Sequence, residues 1–215
     1  AWGTIFEEIW DIEVVSWNFD PVYRSDQYYI DVYLGNSGDG APSIGFTGAY
    51  TTIYNDNYQP YMVFHPDVLG HEPAVKDISS HEFFHTLQFT IAVRPGGCYQ
   101  YMMDGNNWGV EGTAVWAEDE GYDDVNYYTY QISPYADSPY FALDTENFQQ
   151  VYARVIWWKY VSERFDGLQT IWALWNDDCY GSLFHSTNAI FLANDTTAEE
   201  EFAKFTVANL FLDYE

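Results

Sequence analysis

The segment Ser80-His81-Glu82-Phe83-Phe84-His85-Thr86 spaces two histidines four residues apart, with a glutamate directly after the first. That spacing gathers the three side chains only on a helix, where residues four apart lie one above the other. On such a face both imidazoles reach one cation, and Glu82 leans toward a water bound to it as a general base. Two histidines and a glutamate buried side by side would be costly without a shared purpose. A chain carrying this segment must therefore build a helix there, pack it, and bring up a third ligand. A catalytic zinc takes three protein ligands and keeps a fourth position for water.

Glu111 is the foremost candidate for the third ligand, with Glu118, Asp119 and Asp104 also within chain reach. It begins Glu111-Gly112-Thr113-Ala114-Val115-Trp116 in the next predicted helix, where Gly112 and Ala114 are small enough to let that helix approach the first closely. A glycine inside a helix costs on the order of 1 kcal/mol relative to alanine, so close packing or access to the metal is expected to offset it.

The periodicity around these segments predicts strands first and helices after, an α+β pattern. Runs over 26–34, 44–54 and 60–65 alternate or are rich in β-branched and aromatic residues, and they end in turn-forming clusters. Together they predict a small mixed sheet, with Pro60 placing its run at a strand start or on an edge. After Pro73 the period lengthens toward 3.6 residues. Helices are predicted over 74–93, 108–120, 149–165, 168–175 and 197–212, the last opening with a capping box at Thr197-Ala-Glu-Glu200. One folding unit is expected, sheet-rich over 1–72 and helical over 73–215.

Charge decides which partners are admissible. Seven Lys and Arg stand against 33 Asp and Glu, a formal net charge of −26. Such a surface excludes nucleic acid as a partner, repels anionic lipid heads and attracts divalent cations. No stretch reaches the roughly 18 apolar residues a membrane-spanning helix needs, and Ala1 follows no basic and apolar leader. The chain is thus expected to be a mature, soluble, extracellular protein without membrane insertion. The two cysteines, Cys98 and Cys179, form no CxxC pair. They are read either as one disulfide, worth about 4 kcal/mol in the chain-entropy model, or as two unconnected buried thiols.

His81-Glu-x-x-His85 followed by Trp108-Gly-Val-Glu-Gly-Thr-Ala114 resembles the gluzincin clan, whose aminopeptidase branch carries W-x-x-E-G-x-A after HExxH. It looks closer to the secreted bacterial and archaeal metalloproteases labelled MXAN-type. These pair HEFFH with E-x-T-A-x-W-x-E-D, an aspartate-rich segment and a Tyr-bearing helix. The corresponding residues here are His81 to His85, Glu111 to Asp119, Asp123-Asp124, and the segment 152–165. The resemblance spans about residues 28–175, tight over the two motifs and loose in the sheet.

This likeness implies a zincin fold that hydrolyses peptide bonds, with zinc on His81, His85 and Glu111 and Glu82 as base. It also singles out Tyr152 as a donor to the charge that develops on the substrate carbonyl. Two departures stand out. The gap between His85 and Glu111 leaves room for an insert over 94–107, and Val115 occupies the position where thermolysin-like members carry a histidine-orienting aspartate. The orienting carboxylate must come from elsewhere. Glu118 and Asp119 are the candidates for it, or for a hard cation such as calcium. Glu118 shares a helix face with Glu111 but stands about 10 Å further along the axis. Three acids at a helix C-terminus call for a cationic offset, for which Arg154 is the protein-borne alternative. The substrate backbone is expected to add to the strand at 60–65. A rival reading is an extracellular structural or self-assembling module on the same scaffold, in keeping with 20 Tyr, 15 Phe and 9 Trp. His65, His71, His185 and the sequon Asn194-Asp-Thr196 carry no assigned role.

Overall fold

Three short runs form the sheet in the computed structural model, which describes residues 2–97, 102, 105–176 and 182–211. They are β1 (Asp31–Leu34), β2 (Ala49–Ile53) and β3 (Pro60–Phe64), in the order β1-β3-β2. β1 runs parallel to β3, and β2 runs antiparallel to it. The protein is thus α+β with a small mixed sheet. Pro60 begins its strand, one of its two expected placements, and that strand is the central one and not an edge. The backbone bonds from His65 N to Gly48 O and from Tyr54 N to Gln59 O set the ladder's parity, which makes Ile53↔Pro60 a non-hydrogen-bonded pair. The N–H that proline lacks would point to β1 instead, where Gln59 Nε2 donates to the Tyr29 carbonyl at 2.6 Å.

Two compact units make up the chain, Ala1–Tyr99 with Ala117–Tyr127 and Gln100–Trp116 with Tyr128–Glu215. The HExxH segment folds with the sheet in the first of these. In the first unit an N-terminal helix α1 (Trp2–Ile9), continued by a π-helical turn (Trp10–Ser16), covers one sheet face. The rings of Trp2 and Phe6 meet Phe64 edge-on at 5.1 and 5.8 Å. The long helix α2 (Glu72–Val93) packs against β2 and β3, and every residue from Ser79 to Gln88 is buried. His71, without a role in the sequence, caps α2: its Nδ1 accepts the Ala74 N–H at 3.4 Å, and Pro73 fills the first turn where its missing donor is harmless.

Helix α3 (Asn107–Gly121) belongs to the second unit over its first ten residues and to the first unit over its last five. The single helix expected at 149–165 is two, α4 (Phe148–Ala153) and α5 (Val155–Arg164). They break at Arg154, whose buried guanidinium donates to the carbonyls of Leu143 and Ala142 at 2.8 Å each and lies over the Tyr135 ring. Those contacts replace the offset for acids 118–120 expected of it. Helices α6 (Leu168–Asn176), α7 (Leu183–Ala193) and α8 (Ala198–Phe211) follow. Thr197 Oγ1 accepts the Glu200 N–H at 3.3 Å, one half of the expected capping box, while the Glu200 side chain turns to Thr196. Among the described residues no helix is long and apolar enough to cross a membrane.

Gly112 serves a neighbour other than the one expected. A Cβ there would lie 2.7 Å from Trp158 Cδ1 and Nε1 on α5, so the glycine admits Trp158 and not α2. Trp158 cannot retreat, being fully buried and stacked on Trp108 at 5.0 Å. It is Gly121 that meets α2, 3.2 Å from Ser80 Oγ. Overpacking costs about 1–3 kcal/mol, against a gain of about 1 kcal/mol in helix propensity. Gly112→Ala is accordingly expected to lower the thermal midpoint, and a raised midpoint in the melt would contradict this packing.

Candidate metal centre

His81, Glu82 and His85 share one face of α2 and are all nearly buried, at 8%, 5% and 8% exposure. Helix α3 carries Glu111 one turn past its start. One ligand atom from each of His81, His85 and Glu111 lies within 4.8 Å of the other two, and these three could hold a metal ion.

The orientation of the two imidazoles is the most informative feature. His81 Nδ1 meets Glu118 Oε1 at 2.5 Å, and His85 Nδ1 meets Gln88 Oε1 at 2.6 Å. A carboxylate oxygen and an amide carbonyl oxygen only accept, so both Nδ1 atoms donate and both Nε2 atoms carry their lone pairs. Those Nε2 atoms face each other at 3.0 Å. Two lone pairs so close repel unless a cation lies between them. Nitrogens held about 2.0–2.1 Å from one tetrahedral ion are some 3.3 Å apart, close to the separation seen. The donor set therefore fits a metal ion.

Carboxyl groups stand behind His81. Glu118, two turns beyond Glu111 on α3, reaches the far nitrogen of His81 and so takes the orienting position that Val115 leaves vacant. Ser80 Oγ lies 2.9 Å from Glu13 Oε1 and 3.0 Å from the Ala117 carbonyl, tying the π-helical turn and α3 to α2. Burial holds the Glu13 carboxyl well above the usual carboxylate range, against the opposing effects of the Ser80 bond and His81. Burial first, and then the Glu118 carboxylate beside it, push Asp77 up to about 9.

A carboxyl whose folded-state pKa is raised favours the fold most below its unfolded pKa, near 4. That contribution is lost progressively as pH rises toward 9. In metal-free protein Asp77→Asn should therefore lose less thermal stability than wild type between pH 5 and pH 9. Equal slopes in melts across that window would contradict the assignment.

Sequence reasoning did not find four of these supporting groups. Gln88 lies three residues after His85 and Asp77 four before His81, so helical spacing alone places both beside the site. Thr51 on β2 and Glu13 on the π-helical turn have no local signal. Thr51 Oγ1 donates to Glu82 Oε2 at 2.7 Å and also lies 2.8 Å from the Glu82 carbonyl.

Glu118 and Asp119 belong to no convergent group of three metal-binding side chains among the described residues, where His81, His85 and Glu111 alone form one. Tyr152 is half-buried on α4 with its ring edge-on to Phe148 at 5.4 Å. Cys98, Cys179 and Asp104 lie outside the described residues.

A family model described as a family of unknown function, DUF6055, matches residues 5–182. The chain belongs to DUF6055. No curated protein and no solved structure matches it. The match takes in all three strands, α2 and α3, so the whole candidate centre of this DUF6055 chain lies within the family region.

Proposed function

We propose that this DUF6055 protein is a secreted, zinc-dependent endopeptidase of the zincin type, with His81, His85 and Glu111 as ligands and Glu82 as general base. The opposed Nε2 atoms of His81 and His85, each with its Nδ1 committed as a donor, are the observation that carries the reading. Three nitrogen and oxygen donors, without thiolate, suit zinc in a catalytic and not a structural site, since structural sites close with four protein ligands. Zinc held there would lower the pKa of a water at its open position and polarise a substrate carbonyl.

The chain's own residues supply the rest. Glu118 and Gln88 fix the tautomers and ring planes of the two histidines. Glu82 takes the proton of the attacking water and returns it to the leaving amine. Tyr152 donates to the oxygen on which charge develops.

Substrate backbone is assigned to β2 in place of the strand at 60–65. β2 is an edge strand whose face carries Thr51 against the base. The ladder parity turns the backbone N–H and C=O of Ala49, Thr51 and Ile53 away from β3, as an adding peptide strand requires. Digestion of an unfolded protein substrate by the zinc-loaded chain, followed by mass spectrometry of the fragments, tests the reading. New internal termini are expected. Their complete absence would favour the structural module, which the exposed Tyr29, Tyr130, Tyr140 and Phe148 suit.

A further inference from the structure

We infer that Thr51 is the positioning residue for Glu82 and ties the base to the strand on which substrate lies. The inference rests on the peptidase reading and adds a residue to it. Glu82 sits beside His81 on α2, where a glutamate has three rotatable side-chain bonds and many rotamers. A base must stand within about 2.6–3.2 Å of the proton it takes, and a misplacement of 1 Å can cost about 100-fold in rate. Something must therefore select one rotamer.

Thr51 Oγ1 is placed to do so. It bonds one carboxylate oxygen of the base, Glu82 Oε2, at 2.7 Å. The same hydroxyl lies 2.8 Å from the Glu82 carbonyl, so it spans the residue from backbone to carboxylate. The bond joins elements 31 residues apart in sequence and is part-buried, which limits competition from solvent.

The strand adds a second element. Thr51 pairs with Met62 at a non-hydrogen-bonded position, so its side chain faces α2 while its own N–H and C=O point to the open side of β2. A peptide adding to that edge would bond the backbone of the residue whose side chain holds the base. Substrate register and base position are then set by one residue. Threonine suits both duties, because β-branching favours the strand and restricts χ1, which holds the hydroxyl toward α2.

The test compares zinc-loaded wild type, Thr51→Val and Thr51→Ser on one quenched peptide, with zinc content measured for each. The Glu82 carboxyl carbon resonance, assigned by its loss in Glu82→Gln, is recorded in parallel in the metal-free proteins. Thr51→Val keeps shape and strand propensity and removes only the hydroxyl. It should lower kcat about 10- to 100-fold with KM and zinc content unchanged, and it should move the Glu82 resonance. Thr51→Ser should restore kcat to within about threefold and return the resonance, on the same reasoning. A Thr51→Val enzyme with wild-type kcat, an unmoved resonance, or no rescue by serine would each overturn the assignment while leaving the peptidase reading intact. A zinc-loaded wild type that cuts nothing would overturn the reading itself, and this inference with it.

Discussion

Glu82→Gln should retain zinc at the wild-type stoichiometry and lower kcat by about 10²- to 10⁴-fold, the usual contribution of a positioned general base. The substitution is nearly isosteric, and glutamine keeps a carbonyl oxygen to accept the Thr51 hydroxyl now bonded to Glu82 Oε2 at 2.7 Å. It introduces no gap into a side chain that is 5% exposed. What it removes is the ability to take a proton. Metal analysis and steady-state kinetics on the same preparation check the result together. Wild-type turnover with full zinc would show that another group moves the proton. Loss of zinc would show that Glu82 holds the site together.

Zinc added to metal-free wild type should raise its thermal midpoint, and the same addition should leave His85→Ala almost unmoved. A ligand that binds the folded chain alone stabilises it by about 4 kcal/mol at a thousandfold excess over Kd, and that is the scale expected for wild type. His85 has a particular part in this. Its Nδ1 is fixed by Gln88, which aims Nε2 at His81 Nε2, 3.0 Å away. Cation binding relieves that opposition, and removing one imidazole removes both the ligand and the repulsion. His85→Ala should accordingly be no less stable than wild type without metal and markedly less stable with it, read by melts with and without zinc. Equal zinc stabilisation of the two proteins would place the metal elsewhere.

The parts of this protein legible in its sequence are those where local spacing carries the signal. HExxH predicts a helix because its chemistry needs one, and α2 is that helix, capped by His71 one residue before its first turn. Glu111 and Glu118 are seven residues apart on one helix, so one reaches the ligand cluster and the other the back of His81. The three strands fall where alternation and turn clusters put them. Their order does not follow from alternation: Pro60 stands at a strand start, one of the two placements expected of it, but the strand it starts is central and not an edge.

Tertiary partners account for the other differences. Arg154 divides a continuous helical pattern at 149–165 because its guanidinium is committed to the carbonyls of Ala142 and Leu143. Gly112 makes room for Trp158, 46 residues away in sequence, in place of the expected α2. The N-terminal segment builds a helix and a π-helical turn from residues such as Ile5, Ile9, Val14 and Val15, β-branched side chains whose local preference is for strands. Packing of Ile5, Ile9 and Val14 into the core decides the matter there.

The central claim meets its most direct test in a metal cycle on one sample. Quenched-peptide cleavage is measured for the zinc-loaded chain, after chelation, and again during titration with zinc. Cleavage should vanish on chelation and return in proportion to added zinc up to one equivalent per chain. Cleavage that survives complete removal of the metal, or zinc that binds stoichiometrically without any cleavage, would contradict the account.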